Sequence, residues 1–394
     1  MRSSSHRDGI SILHVVPSFG LGGMERIICA IVDGTVPGCA HTILSLSGTV
    51  EAKAWINSPS TCYVPLVKPS TRREFFLLLY HQLQELRPQV LMSYNWGATD
   101  AIWLGRLAKI RRIIHNEHGF NVDEAKTTNW KRDLVRSILY AISSNVIVVS
   151  RELQNLMKEK YRLRDHKVLF IPNGIDTQYY APDELERKHM RSSLGFQEHD
   201  TIIGFVGRLD PVKNLDFLLQ VFDICTKQRQ RFKLLIVGEG PERSRLEHLC
   251  QRRNLQSCVS FIGQQAKILP YLRAIDILLL TSLREQMPMT VLEAMAVGVP
   301  VIASEVGEIP YIVENGVNGF MHNLDRGERV FADSLQQLLS PSLRASLGHA
   351  ARRKIIEHFP QVSMISRYQM LFTELIPYLH HIRSNLRVRQ GDSK

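Results

Sequence analysis

Short apolar runs alternate with longer amphipathic stretches along this chain. In its first part the runs fall at residues 12–16, 42–46, 90–93, 113–115, 146–149 and 168–171. Each is a run rich in Val, Ile and Leu, not a strict apolar/polar alternation, which suits strands of a parallel sheet covered on both faces. Around Pro172-Asn173-Gly174-Ile175-Asp176 the rhythm stops, and residues 181–200 are polar with a predicted short helix. It restarts at 202–206, 234–237, 259–262, 277–280, 301–303 and 319–321. The pattern predicts two α/β units with doubly wound parallel sheets, residues 1–176 and 177–358. The remainder, 359–394, opens with an amphipathic helix over 360–382. Its Met364, Tyr368, Leu371, Leu375 and Leu379 share a face that the first unit can cover.

The chain has 394 residues, 44% of them hydrophobic and 22% charged, which excludes both a short peptide module and a disordered protein. No run approaches the eighteen or so apolar residues of a membrane span, and the N-terminal apolar stretch is too short for a signal peptide. The six cysteines form no C-x-x-C pair and are expected to be reduced, as in a cytoplasmic protein. Net charge is +11, with 22 cations against 15 anions up to Asp176. That balance favours an anionic partner without choosing among phosphate, nucleic acid and lipid, and the basic residues of the first part suit the inner face of an anionic membrane.

Three segments carry candidate chemistry. After the first strand, Gly20-Leu21-Gly22-Gly23 leads into a helix, where close backbone approach and free amides suit a diphosphate or a sugar edge. The spacing is not that of the G-x-G-x-x-G dinucleotide fingerprint. After the first strand of the second unit, Arg208 and Lys213 share a loop from which a fork and a point charge can reach one anion. Third, Pro288 fits the first position of a helix that Gly298 ends. Met289 and Thr290 then offer unpaired amides to a phosphate, Glu285 reaches a sugar hydroxyl and Glu293 a ribose.

Taken in order, these segments resemble the retaining glycosyltransferases of family 4, group 1, with the GT-B fold. The resemblance rests on Gly22-Gly23, Pro172-Asn173-Gly174-Ile175-Asp176, Gly207-Arg208-x4-Lys213, Val237-Gly238-Glu239-Gly240 and Glu285-x7-Glu293 with Ala294-Met295-Ala296-x-Gly298-x-Pro300. It runs from Ile12 past Phe359. The Asn116-Glu117-His118-Gly119 stretch, the segment 129–136 and the Val149-Ser150-Arg151-Glu152-Leu153 helix start are most similar to bacterial exopolysaccharide-type sugar transferases.

The resemblance implies a transfer from a nucleotide-diphosphate sugar, UDP- before GDP-, to a glycan or polyprenyl-diphosphate-linked acceptor. Arg208 and Lys213 would neutralise the departing diphosphate, Glu293 would bind the ribose, and Glu285 the transferred sugar. Backbone near Gly22, Gly23, Met287, Pro288, Met289 and Thr290 would complete the donor pocket, with the base near Gly263. His118 would lie beside the reacting sugar, with His115 as its competitor. No metal or other cofactor is implied, in keeping with the lack of an Asp-x-Asp triplet, and no nucleic acid. One departure stands out: the family has Gly after its first motif glutamate, and this chain has Gln286. An epimerase or phosphorylase on the same fold, or a silent nucleotide-sugar-binding protein, are the other readings.

Overall fold

The computed structural model describes residues 9–35, 38–66, 69–119, 130–227 and 232–374. The first unit contains β1 (Ile10–Val16), β2 (Cys39–Ser45), β3 (Cys62–Pro65), β4 (Val90–Tyr94), β5 (Arg112–Glu117), β6 (Asn145–Val148) and β7 (Val168–Phe170). They form one sheet in the order β3-β2-β1-β4-β5-β6-β7, every neighbouring pair parallel. Its helices are α1 (Gly23–Thr35), α2 (Arg72–Leu86), α3 (Asp100–Leu107), α4 (Trp130–Ile142) and α5 (Arg151–Glu159). Alternate residues of the strands face opposite layers. Leu13, Val15, Leu91 and Ile113 pack under α2, α3 and α4, and Ile12, Met92 and Ile114 pack under α1.

The sheet has seven strands where six apolar runs are legible. The extra one, β3, is an edge strand of sequence Cys-Tyr-Val-Pro with both ends exposed. An edge that buries little needs no apolar run, and its terminal Pro65 is tolerated there.

The second unit has α6 (Glu184–Ser193), β8 (Thr201–Val206), α7 (Leu215–Lys227), β9 (Phe232–Val237), α8 (Arg243–Arg252), β10 (Val259–Gly263), α9 (Leu269–Ala274) and β11 (Ile277–Leu280). It continues with α10 (Met289–Ala296), β12 (Val301–Ser304), α11 (Ile309–Ile312), β13 (Gly319–His322), α12 (Glu328–Gln337) and α13 (Pro341–His358). The strand order is β10-β9-β8-β11-β12-β13, again all parallel. The predicted helix of the connecting segment is α6. Its Arg187 and Arg191 both bind Asp276 at the start of β11, fixing it to this unit.

The chain crosses between units twice at one place. Ile175 N–H donates to Phe359 O at 2.9 Å, and Gln361 N–H donates to Ile175 O at 3.0 Å. An added Cβ at Gly174 would lie 2.7 Å from Gln361 Cα, so the crossing requires glycine there. Beyond it α14 (Gln361–Thr373) returns to the first unit, burying Met364, Tyr368, Leu371 and Phe372 against α1 and the sheet. This is the face predicted for the tail helix; Leu375 and Leu379 lie outside the described residues, as does Asn129 of the basic segment.

Each sheet reverses its winding once, between β1 and β4 in the first and between β8 and β11 in the second. Open α/β sheets bind ligands beyond the carboxyl ends of their strands at these switch points. The loops that follow β1, β8 and β11 are the three segments that carry candidate chemistry.

Candidate active site

The loop after β1 runs into α1 at Gly23, and an added Cβ there would meet Met289 Cγ at 3.1 Å. The glycine loop of one unit thus approaches the start of α10 in the other. Helix α1 carries Arg26 across the same gap: its guanidinium stacks 4.2 Å from the Trp55 ring and its Nε lies 3.6 Å from Glu293 Oε1. Glu25 lies folded against Gly22, and burial raises its carboxyl to about 7.

The loop after β8 is shaped by glycines. Gly238 and Gly240 press onto the backbone of Gly207 and Leu209, where no Cβ fits. Asp210 then caps a short turn, Pro211–Lys213, by accepting Val212 N–H at 3.1 Å. Lys213 points inward and binds Glu285 Oε1 at 2.5 Å, and Ser282 Oγ donates to the same oxygen at 2.7 Å. Arg208 turns outward, 73% exposed, with Asp210 at 3.8 Å. The two cations share a loop, but Lys213 is already held by a carboxylate while Arg208 has only this loose contact.

Helix α10 starts at Met289, one residue later than expected: Pro288 keeps an extended ψ of 116° and stands as its N-cap. A proline with extended ψ has not yet entered the helix, so the free amides begin at Met289 and Thr290. Glu293, one turn in, is 1% exposed. Tyr180 Oη donates to its Oε1 at 2.9 Å, and burial raises its carboxyl above the ordinary range. Gly298 closes the helix with φ of 83°.

Gly263 ends β10 with φ of 80°, and its carbonyl accepts Gly238 N–H at 2.9 Å. It therefore lies beside the Gly238-Glu239-Gly240 loop at the rim of the second unit. His118 follows β5; its backbone N–H donates to Asn95 Oδ1 at 2.7 Å and its ring stacks on Tyr94 at 6.1 Å. Burial pushes the imidazole down to about 4, and Nε2 is buried without a partner among the described residues. His115 is the inner one of the pair, fully buried with Nδ1 2.9 Å from Ser93 Oγ and Nε2 3.5 Å from Glu117. It belongs to the core, which leaves His118 at the cleft.

The Gln286 side chain crosses the cleft. Ser150 Oγ, which also caps α5, donates to Gln286 Oε1 at 2.5 Å, and Gln286 Nε2 is buried without a partner among the described residues. Its Cγ lies so near Gly119 that an added Cβ there would sit 3.2 Å away. Next to it, Glu308 accepts both the backbone N–H and the guanidinium of Arg151. Asn173 of the Pro-Asn-Gly segment donates from Nδ2 to Met287 O at 3.1 Å. Arg26, Tyr180, Ser150, Arg151, Asn173 and Glu308 were not singled out in the sequence for the site. Signals were visible for four of them: Arg26 next to Gly-Gly-x-Glu, Asn173 in the Pro-Asn-Gly-Ile-Asp segment, and Ser150 with Arg151 at a helix start.

Two family profiles cover this architecture: "Glycosyltransferase Family 4" matches residues 21–179, and "Glycosyl transferases group 1" matches residues 186–354. The chain is similar to a D-inositol 3-phosphate glycosyltransferase of Actinosynnema mirum, 33% identical over 66% of this chain and 68% of that protein. It is also similar to a UDP-Gal:alpha-D-GlcNAc-diphosphoundecaprenol alpha-1,3-galactosyltransferase of Escherichia coli, 25% identical over 69% of this chain and 71% of that one. Among solved structures, Anabaena Alr3699/HepE in complex with UDP-glucose superimposes with a TM-score of 0.79 at 20% identity, over 94% of this chain and 100% of that one. Fold and cleft thus define a GT-B glycosyltransferase. The chain belongs to the family 4, group 1 glycosyltransferases.

Proposed function

We propose that this enzyme transfers a sugar, with retention and without a metal, from a UDP-sugar to a lipid-linked glycan. The observation that carries the reading is the meeting of Lys213 with Glu285 beside the free amides of Met289 and Thr290. Breaking the sugar–phosphate bond puts negative charge on the diphosphate. Lys213 and the N-terminus of α10 are positive groups held beside the space it would occupy, and the exposed Arg208 of the same loop can turn onto it; together they stabilise the leaving charge. Glu293 offers the ribose an acceptor at Oε2, which takes no hydrogen bond from the described residues, while Tyr180 holds Oε1.

Glu285 is a poor nucleophile because Lys213 and Ser282 already occupy Oε1. Its other oxygen suits an outer hydroxyl of the sugar. With no other carboxylate assigned to the sugar, retention follows from attack on the face the diphosphate leaves, the departing phosphate oxygen taking the acceptor's proton. Neutral His118 offers Nε2 to a sugar hydroxyl. The UDP-glucose held by the Anabaena protein and the diphosphoundecaprenol acceptor in the Escherichia coli relative's name support the choice of donor and acceptor. Work on such an acceptor would take place at the surface of an anionic membrane, which the basic charge of the chain suits.

The test is UDP release and product formation with UDP-sugars and a synthetic polyprenyl-diphosphate glycan, in the presence of EDTA. An α-linked product that does not need added magnesium or manganese supports the reading. A β-linked product, or activity only with metal, overturns it.

A further inference from the structure

Gln286, the departure that follows Glu285 in the sequence, is 6% exposed and held at both ends. Its carbonyl accepts Glu308 N–H at 2.8 Å, and Gly307 packs so tightly on the same oxygen that an added Cβ there would lie 2.8 Å away. At the other end, Ser150 Oγ accepts Leu153 N–H as the cap of α5 and donates its own proton to Gln286 Oε1. The amide nitrogen is thereby turned away from Ser150, with two N–H groups that no described residue accepts. A buried amide in this state has given up its hydrogen bonds to water and regained none, a cost that a ligand can remove.

A second such atom lies across the cleft. His118 Nε2 is also buried without a partner among the described residues, and Gly119, the next residue, is the one that Gln286 Cγ packs against. Gly119 has φ of 143°, where a side chain is strained, and it leaves room for the crossing glutamine. The two units thus bring one unpaired polar atom each to the same part of the cleft. Glu285, which the donor reading gives to the transferred sugar, precedes Gln286, and the free amides of Met289 and Thr290 follow it. These neighbours put the pair on the sugar side of the donor site.

We propose that Gln286 selects the transferred sugar: its Nε2 and His118 Nε2 bind one hydroxyl of a neutral sugar, and donors without that hydroxyl are rejected. The inference deepens the reading of a UDP-sugar donor and rests on it. A hydroxyl is the substituent that fits both atoms. The amide nitrogen only donates, whereas Nε2 of a neutral imidazole donates or accepts according to its tautomer. A hydroxyl accepts from the first and completes the second in either tautomer, while a carbonyl or carboxylate, which only accepts, serves one tautomer alone. A carboxylate would also come beside Glu117, fully buried next to His118. Selection follows from loss: a donor lacking the hydroxyl leaves both nitrogens buried and unpaired, which is how a polar site rejects an analogue short of one group.

The experiment is calorimetric titration of the full chain with UDP, UDP-glucose, UDP-galactose and UDP-N-acetylglucosamine, then with analogues of the tightest-bound sugar in which each free hydroxyl is removed in turn. The wild type is compared with Gln286→Gly and with Ser150→Ala, which gives up the crossing bond but keeps the amide; each variant is first shown to melt cooperatively. The wild type is expected to bind one deoxy analogue about tenfold or more less tightly than its parent, since two buried nitrogens lose their partner. Gln286→Gly reduces that ratio to about threefold or less with UDP affinity unchanged, and Ser150→Ala keeps the ratio. Equal binding of every deoxy analogue by the wild type overturns the proposal, as does a Gln286→Gly protein that keeps the full ratio. So does a Gln286→Gly protein in which UDP and every UDP-sugar weaken alike, because Gln286 then only holds the units together. A wild type that binds UDP but no sugar conjugate more tightly than UDP overturns the proposal and leaves the UDP site standing. A wild type that binds no UDP contradicts the donor-site reading itself and removes the proposal with it.

Discussion

Ser150 and Gln286 join the two units across the cleft by a 2.5 Å hydrogen bond. The contact exists because a glutamine follows Glu285, and because its side chain meets the cap of α5. With the Glu308–Arg151 pair beside it, the second unit grips the start of α5 at two adjacent residues. Gln286 Nε2 has no partner among the described residues, and the side chain's Cγ lies against Gly119, next to His118.

Gln286→Gly removes the crossing contact and the free amide together. A hydrogen bond of this kind contributes about 1 kcal/mol net, so kcat/KM for the native donor is expected to fall about fivefold to tenfold. Arg151 and Glu308 still hold the units, so the melting temperature changes little. Steady-state kinetics over a donor panel checks this, and an unchanged donor ranking with unchanged kcat/KM contradicts it.

Arg208 and Lys213 separate catalysis from stability. Arg208 is mostly exposed, so Arg208→Ala is expected to lose about 100-fold or more in kcat with no change in melting. Lys213→Ala loses activity too, but it also leaves Glu285 without its partner and lowers the melting temperature. Activity and thermal denaturation measured side by side distinguish the two.

Stability responds to acid through a buried chain. Tyr94 Oη donates to His14 Nδ1 at 2.8 Å, His14 Nε2 to His41 Nδ1 at 2.9 Å, and His41 Nε2 to Thr35 Oγ1 at 2.7 Å. Thr35 Oγ1 spends its proton on Ile31 O at 2.7 Å, which sets this direction and keeps both imidazoles neutral. Burial holds His14 well below its ordinary value and His41 near about 4. Below about pH 6.5 the unfolded chain binds protons that the folded one refuses, so stability falls as pH drops toward 4. Glu25, raised to about 7 by burial, acts in the opposite sense: the folded state takes its proton first, and stability rises as pH falls through 7. Glu25→Gln is therefore expected to raise stability above pH 7 and to steepen the loss in acid. Urea unfolding at pH 8, 6.5 and 5 checks both signs.

Helix α14 belongs to the first unit's core. Phe372 is fully buried there, and Phe372→Ala is expected to cost about 3–5 kcal/mol. Urea denaturation monitored by tryptophan fluorescence measures it; all four tryptophans lie in the first 130 residues.

The sheets were legible because most strands are buried in the middle of a covered sheet and so read as runs rich in Val, Ile and Leu. Strand β3 was not, since an edge strand with exposed ends leaves no such run. The site was legible where a motif is local: Gly207 to Lys213 and Glu285 to Gly298 each lie on one loop or helix. It was illegible where the partners meet only in the fold. Arg26 and Glu293 are 267 positions apart, and Ser150 and Gln286 are 136 apart. The start of α10 was read one residue early because a proline suits both the first turn and the cap before it.

The central claim is a donor site for a UDP-sugar built without metal from Arg208, Lys213 and Glu293. Calorimetric titration of UDP in EDTA tests it most directly, on the wild type, Arg208→Ala and Glu293→Gln. The account predicts saturable binding by the wild type, at least tenfold weaker binding by both variants, and no gain when magnesium replaces EDTA. Equal UDP affinity in all three proteins, or binding only with magnesium, would contradict it.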